Sequence, residues 1–522
     1  MIRIGRIFTD QLQGFSLTGK NDKRLRCLLN ALLILIGISF CGTLYPRVVD
    51  IDDAWSGAHA YWFAKRGYVR NDLEYAYWAR LAALKADLFR GAALEERKLL
   101  VDHKLWTIQG GLFIRCFGMH LYLLKAISLG YLFVALWLAY LLIKGCLPHP
   151  GLWYRVFLVI FLFNLLTFEA AFRFRPEMML SALGLLSYYC LDKSLRTAQP
   201  AYLAFAGLAA GLAMAAHLNG VVYVVAGVVL LVNAKRLAGL LLFGSSSVVG
   251  FLPYFYDMLS RADLRLWLLQ FRSHPGVGEE TFHGLNYVFK TLLEINRFLH
   301  SPKEQLLTCL LIVIGAWSFE YVNIRHRQLL LYTGCLVLGL AVFAHNKTPK
   351  YLLAHLPFLC LLLTLGLRAI AAQARNMSRY ARQYVIPFAL TAYVVGNYII
   401  ILIFLSQNWN WDMIAAYRTL TPYLRPGAQV LAPITFAFDG IRRYAVQGLD
   451  LYVIIKDRGM IPAATTPFQF AAQFGNEYVI LDHEWLTKWQ LTDASAFGSY
   501  ECIHKELMPQ RGEQFWVFRR KM

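Results

Sequence analysis

Charge is scarce in this chain of 522 residues: 16% of positions are Asp, Glu, Lys or Arg, against roughly 25% in soluble domains, while 58% are hydrophobic. That excludes an ordinary soluble enzyme. Cysteine is sparse where it could staple a framework. Of nine, Cys27, Cys41, Cys146, Cys190, Cys309, Cys335 and Cys360 fall in or beside apolar blocks, and only Cys116 and Cys502 lie clearly outside them. Neither a disulfide scaffold nor a thiolate metal site is therefore predicted. Internal repeats are lacking, and charge is nearly absent inside the apolar blocks. Transporters tend to show internal repeats and ionisable residues at the midplane, so a transporter or flippase of lipid-linked glycans is the alternative reading rather than the first. The start, MIRIGRIFTD, has no cleavable-signal pattern, because 26 mostly polar residues precede the first apolar block. That block reads as a signal anchor.

What the chain does have is apolar blocks close to the roughly 20 residues that cross a bilayer as helix. Spans are predicted at 27–46, 122–143, 153–170, 177–191, 201–217, 219–233, 237–256, 305–322, 328–344, 351–368 and 384–406. The fold class is thus a polytopic α-helical membrane protein of about 11 transmembrane helices. Residues 1–26 are a cytoplasmic segment, 27–406 the transmembrane module with its first outer loop at 47–121, and 407–522 a C-terminal outer domain. With the N-terminus inside, the inner segments hold eighteen basic and four acidic residues, so they carry +14 of the chain's +20. The positive-inside rule requires such a bias, and it sets the orientation as N-in, C-out. The large outer segments are close to neutral: 47–104 has ten basic and nine acidic residues, 257–304 six of each, and 407–522 twelve and eleven. Nucleic acid is excluded as a partner, since the positive charge belongs to the lipid surface.

The remaining charges are Arg115, Lys125, Arg173, Arg175, Lys347, Lys350, Glu169 and Glu177, all at the outer membrane boundary. Cations drawn from four stretches of chain are what a buried anionic ligand such as a lipid phosphate needs; anchoring in the headgroups is the simpler alternative. The first outer loop opens with DIDDAW, placing Asp50, Asp52 and Asp53 together. Acids so close require a cation, or one takes a raised pKa suited to general-base work; an Asp helix cap is the plainer reading. Leu73, Tyr77, Leu81, Leu84 and Leu88 follow at helical spacing, which predicts an amphipathic helix on the membrane surface. DHKLW then offers Asp102 and His103 ahead of a stretch, 105–117, too short and polar to span and closed by Gly118. In EAAFRFRPE, Pro176 opens a helix and sets Glu177 just inside it, near Arg173 and Arg175. HLNG carries His217, which could simply cap a helix, and HNKTPKY carries Lys347, Lys350 and Tyr351.

In their order, these features resemble the GT-C superfamily of integral-membrane glycosyltransferases, in the branch of protein mannosyltransferases and lipid A aminoarabinose transferases. The carrying residues are Asp52-Asp53-Ala54 with Ala64 and Gly67, Phe117-Gly118, Arg175-Pro176-Glu177-Met178, the small-residue span GLAAGLAMAAHLNG, and Lys350-Tyr351 ahead of Pro357. The likeness runs over about residues 30–410. It implies that Asp53 or Asp52, with Asp53 preferred, is a catalytic base or helps to bind a divalent ion, and that Glu177 is a second active-site carboxylate. His217 stands where many relatives have Lys. Lys347, Lys350, Arg173, Arg175 and His217 would contact the donor phosphate. A divalent metal ion is the one cofactor left open, with Asp102 and His103 as candidate ligands.

The resemblance also implies a polyprenyl-phosphate sugar donor, as does the outer placement of the charges, where nucleotide sugars are not available. The reaction would be an inverting transfer to an acceptor hydroxyl on lipopolysaccharide, lipid A or another envelope glycan, or less favourably a protein. The location is then a bacterial inner membrane. Residues 407–522 are read as a small periplasmic α/β domain, with strands at AQVLAPI, DLYVII, EYVIL and QFWVFR and a helix at DMIAAYRTL. Asp482-His483-Glu484 is read as a solvated turn, because adjacent side chains converge poorly on one ion.

Overall fold

The computed structural model describes residues 20–43, 48–70, 72–85, 87, 98–147, 150–273, 288, 289, 291–344, 348–372, 380–409, 411–491, 496–508 and 513–521. Each predicted span coincides with helix. In chain order these are α1 (Lys20–Gly42), then, after three helices of the first loop, α5 (Leu121–Cys146), α6 (Pro150–Leu162) with α7 (Leu165–Ala171), α8 (Glu177–Thr197), α9 (Pro200–Ala216), α10 (Val221–Asn233), α11 (Leu237–Phe251), and, beyond a second loop carrying α12 (Arg261–Arg272) and α13 (Glu294–Leu299), α14 (Pro302–Arg325), α15 (Arg327–Phe343), α16 (Leu356–Ala372) and α17 (Ile386–Asn408). The loop helices are α2 (Ile51–Arg66), α3 (Tyr75–Leu84) and α4 (Lys104–Phe117). Lipid offers no hydrogen bonds to the backbone, so apolar blocks must satisfy themselves as helix. By length and apolarity five helices suffice to cross a membrane, or six with the α6–α7 pair, and four shorter apolar helices accompany them among the described residues.

Two spans depart from the sequence expectation. The block 153–170 is not one straight helix: α6 and α7 meet at 79°. Asn164 makes the break, its side chain accepting the Leu166 N–H at 3.0 Å and donating to the Tyr393 hydroxyl at 3.1 Å. The block 351–368 begins late, because Pro349–Ala354 forms a 3-10 turn ahead of α16. The small-residue span explains a close contact. A Cβ at Gly207 or Gly211 of α9 would lie 2.3 or 2.0 Å from the Phe243 or Ser247 carbonyl oxygen of α11. Glycines four apart thus let two helices meet backbone to backbone.

The C-terminal part is a six-stranded sheet with helices. After α18 (Met413–Arg418), capped by Asp412, come β1 (Gln429–Ala432), β2 (Ala445–Gly448), α19 (Leu449–Asp457), α20 (Pro467–Gln473), β3 (Tyr478–Leu481), α21 (His483–Lys488), β4 (Ala496–Phe497), β5 (Tyr500–Met508) and β6 (Glu513–Arg520). The sheet order is β2-β1-β3-β6-β5-β4, parallel among the first three strands and antiparallel beyond. DLYVII, expected as a strand, is helical in α19. Its buried residues Leu449, Leu451, Tyr452 and Ile455 lie at spacings of two, one and three, which fits a helix face and not a strand's alternation. Strands β2, β4 and β5 lie outside the runs expected as strands.

The helix expected on the membrane surface exists as α3, but its apolar face lies elsewhere. Tyr77, Trp78 and Leu81 join a core with Leu449, Tyr452 and Ile455 of the C-terminal part, and the Tyr77 hydroxyl accepts from Arg458 at 2.8 Å. Leu88 lies outside the described residues. The first loop is therefore bound to the C-terminal sheet as well as to the helices, which fixes α2 at the end of the bundle.

Candidate active site

Helix α2 begins at the DIDDAW acids, and its N-terminus sorts them. Asp50 is the N-cap, its carboxylate accepting the Asp52 N–H at 3.1 Å. Asp53, three residues on, closes a capping box by accepting the Asp50 N–H at 3.2 Å. Asp53 is fully buried, accepts the Phe174 N–H at 2.5 Å and pairs with Lys125 at 3.3 Å. Both its oxygens are engaged. Asp52, by contrast, keeps 34% of its side chain exposed and faces Arg175 and Lys350, the latter at 2.5 Å. Asp53 thus ties together the first loop, α5 and the turn before α8, at the capping-box spacing that the sequence holds, while Asp52 is the acid left partly exposed.

Of the basic residues grouped from the sequence, Lys125, Arg173, Arg175 and Lys350 stand against the acids at the start of α2 and α8, whereas Arg115 donates to the Ala64 and Phe63 carbonyl oxygens. Arg173 pairs with Asp50 at 3.3 Å. Arg175 donates through Nε to both oxygens of Glu177, at 2.9 and 3.0 Å, and also pairs with Asp52. Glu177 itself is buried one residue into α8. Cations from three parts of the chain, Lys125, Arg173 with Arg175, and Lys350, thus stand against four acids, Asp50, Asp52, Asp53 and Glu177. Burial raises the Asp50 pKa, with Arg173 opposing it. Burial acts the same way on Asp52, yet Arg175 and Lys350 outweigh it and hold that carboxyl well below its usual range. Asp52 is consequently an ionised, accessible carboxylate between two cations.

Beside it, aromatic rings form a row. His103 stacks on His217 with ring centres 4.5 Å apart, His217 meets Tyr351 edge-on at 5.1 Å, and the Arg297 guanidinium lies 5.8 Å from the Tyr351 ring centre. His217 caps the following turn, its Nδ1 accepting the Asn219 N–H at 3.0 Å. That is the plainer of its two readings, though its ring also borders the site. Lys347 lies outside the described residues.

Asp102 and His103 do not form a metal pair. Asp102 accepts from the Thr107 hydroxyl at 2.6 Å and pairs with His59 at 3.2 Å, while His103 is stacked on His217. Among the described residues no three His, Cys, Asp or Glu side chains are grouped to hold a metal ion. The described residues here do not fit a metal ion. Burial opposes charge on His59, but Asp102 reverses the effect and raises its pKa; burial would raise Asp102, and His59 more than offsets it. Sequence reasoning missed His59 and Arg297, and Lys125 was counted in the cluster without its partner. A single His within a helix gave no signal of its contact with Asp102, 43 residues on.

No known family description matches the sequence, and no curated protein does. Solved structures do. ArnT from Cupriavidus metallidurans in the apo state is similar over 95% of this chain and 98% of its own, at 14% identity and a TM-score of 0.52. ArnT from the same organism bound to undecaprenyl phosphate is similar over 94% and 97%, at 12% identity and a TM-score of 0.55. The fold is the one seen in these ArnT structures. At these identities the likeness is one of architecture, and it spans the helical bundle and the C-terminal sheet together.

Proposed function

We propose that the chain transfers a sugar from a polyprenyl-phosphate donor to an acceptor hydroxyl, with Asp52 as general base. The observation that carries this reading is the Asp52–Arg175–Lys350 arrangement, an accessible carboxylate held by two cations. It stands in a fold whose solved example binds undecaprenyl phosphate. The donor phosphate would take Arg175 and Lys350 from Asp52. The carboxylate, still largely out of water but less compensated, then gains proton affinity, as a base requires. Asp52 accepts the hydroxyl proton, the acceptor oxygen bonds to the anomeric carbon, and the bond from that carbon to phosphate oxygen breaks. A single displacement inverts the anomeric centre. Arg175 and Lys350 stabilise the departing polyprenyl phosphate, and Glu177 keeps Arg175 in place.

The acceptor on this reading is an envelope glycan such as lipid A or lipopolysaccharide, and the protein sits in a bacterial inner membrane with its N-terminus cytoplasmic and the site periplasmic. The polar cluster within the bundle, Asn164, Tyr393 and Asn397, is uncharged, which suits one-sided chemistry better than ion-coupled transport. The test is mass spectrometry of envelope glycans from a deletion strain complemented with wild type or Asp52→Asn. Wild type restores one sugar mass, and Asp52→Asn at equal protein level does not. Equal restoration would remove Asp52 from the chemistry, and no change in any glycan would favour transport.

A further inference from the structure

The end of the bundle opposite Asp52 holds a second site. Helix α8 carries Glu177 at one end and Arg196 nineteen residues on, a separation of about 29 Å at ~1.5 Å per residue. That is close to the ~30 Å thickness of a bilayer's hydrocarbon core. At the Arg196 end is a cavity of about 230 Å³. Leu142, Tyr188 and Leu365 give it an apolar wall, and Arg196, Arg325 and Arg327 give it a cationic rim. These come from α5, α8, α16 and the α14–α15 connection, so the cavity is a junction of helices.

The charges there are not balanced as they are around Asp52. Arg196 pairs with Asp192 at 3.0 Å and donates to the Gly145 carbonyl at 3.0 Å. Among the described residues, neither Arg325 nor Arg327 has a carboxylate within ion-pair distance. His326, between them, adds no charge: burial, and then Arg325, Arg368 and Arg196, push it down to about 4. Three guanidiniums against one carboxylate leave a positive excess over an apolar wall, at the depth of a headgroup.

We propose that this cavity binds the phosphate of an anionic membrane phospholipid, its phosphate against Arg196, Arg325 and Arg327 and its acyl chain against Leu142, Tyr188 and Leu365. Charge complementarity selects a phosphate, and the apolar wall selects one attached to a lipid. Basic cavities between membrane helices recognise lipid phosphates in this way.

The experiment is native mass spectrometry of the full chain in neutral detergent with phosphatidylglycerol, with phosphatidylcholine, and with phosphatidylglycerol plus millimolar inorganic phosphate. Wild type is expected to retain phosphatidylglycerol preferentially. Arg325→Gln/Arg327→Gln should bind it about 30-fold more weakly, since each basic group near an anionic lipid favours it about fivefold. Arg325→Lys/Arg327→Lys should keep the preference, and Asp52→Asn should leave it unchanged, which separates this site from the other. Matching melting temperatures establish that the variants are folded. Equal retention of both lipids by wild type, or undiminished retention by the Gln variant, would overturn the proposal. Displacement of the lipid by inorganic phosphate alone would reassign the cavity to a free anion and overturn it as a lipid site.

Discussion

Asp52 at the end of the helical bundle and Asp482 in the C-terminal sheet region are both carboxylates at helix starts, yet their proton affinities are driven in opposite directions. Burial raises both. Around Asp52 the neighbours are Arg175 and Lys350, which reverse the effect. Around Asp482, Glu484, Asp450 and Glu513 add to burial, and its pKa is raised to about 7 despite the Trp485 N–H that it accepts. The company a carboxylate keeps, more than its depth, decides whether it is available for chemistry. One carboxylate keeps its charge between two cations; the other takes up a proton far more readily than a free Asp does.

The sharpest way to break this contrast is to remove the charge of Asp52. Asp52→Asn is expected to lower turnover by about 10²- to 10⁴-fold, the usual contribution of a positioned general base, with little loss of folded protein. Lys350→Met should cost about 10²- to 10³-fold through the leaving group. Sugar release from a polyprenyl-phosphate donor measures both. The neighbouring acid sharpens the comparison. Lys125→Met leaves Asp53 buried without its cation, and breaking such a pair costs roughly 3 to 5 kcal/mol, read as a lower thermal unfolding midpoint. Normal stability in Lys125→Met would mean that Asp53 is not the tie described above.

Much of the helical module was legible because lipid imposes one rule on every block: long, apolar and helical. The rule says nothing of a polar residue that caps within a block, so Asn164 and its bend escaped. DLYVII misled because a short β-branched run suits either structure until its burial period is known. The placement of α3 depends on Tyr77 and Leu81 meeting Tyr452 and Ile455 far along the chain, which no local pattern contains. At the site, the residue types were legible, and so, in hindsight, was the difference between the acids. Asp50 and Asp53 stand at capping-box spacing, which leaves Asp52 as the carboxylate outside the cap. What the sequence could not contain was Lys125 reaching Asp53, or His59 reaching Asp102 across the first loop.

That His59–Asp102 pair gives a smaller, pH-dependent prediction. His59 is raised above 6.5, so its stabilisation is complete below that pH and is lost as pH rises through the folded value. Asp102 is lowered below 3.8, so its stabilisation is present above 3.8 and is lost as pH falls through its folded value. The loop should be held best between these limits. The thermal midpoint of the wild type is expected to fall as pH rises above 6.5, and His59→Gln should flatten that slope. An unchanged slope in His59→Gln would assign the dependence to another group.

Asp482 gives the smallest effect and the cleanest sign. Its pKa is 3.8 when unfolded and about 7 in the fold, so the stability tied to its proton is full below 3.8 and is lost as pH rises through 7. Asn at this position keeps the cap, because its side-chain oxygen can accept the Trp485 N–H now 3.2 Å from Asp482. It removes the charge that the acids around it oppose. Hydrogen exchange over β3 and α21, corrected for the intrinsic rate, should therefore quicken in the wild type between about pH 6 and about pH 8 and stay level in Asp482→Asn. The same rise in both proteins would show that the proton on Asp482 is not what the region responds to, and the contrast with Asp52 would reduce to one of exposure alone.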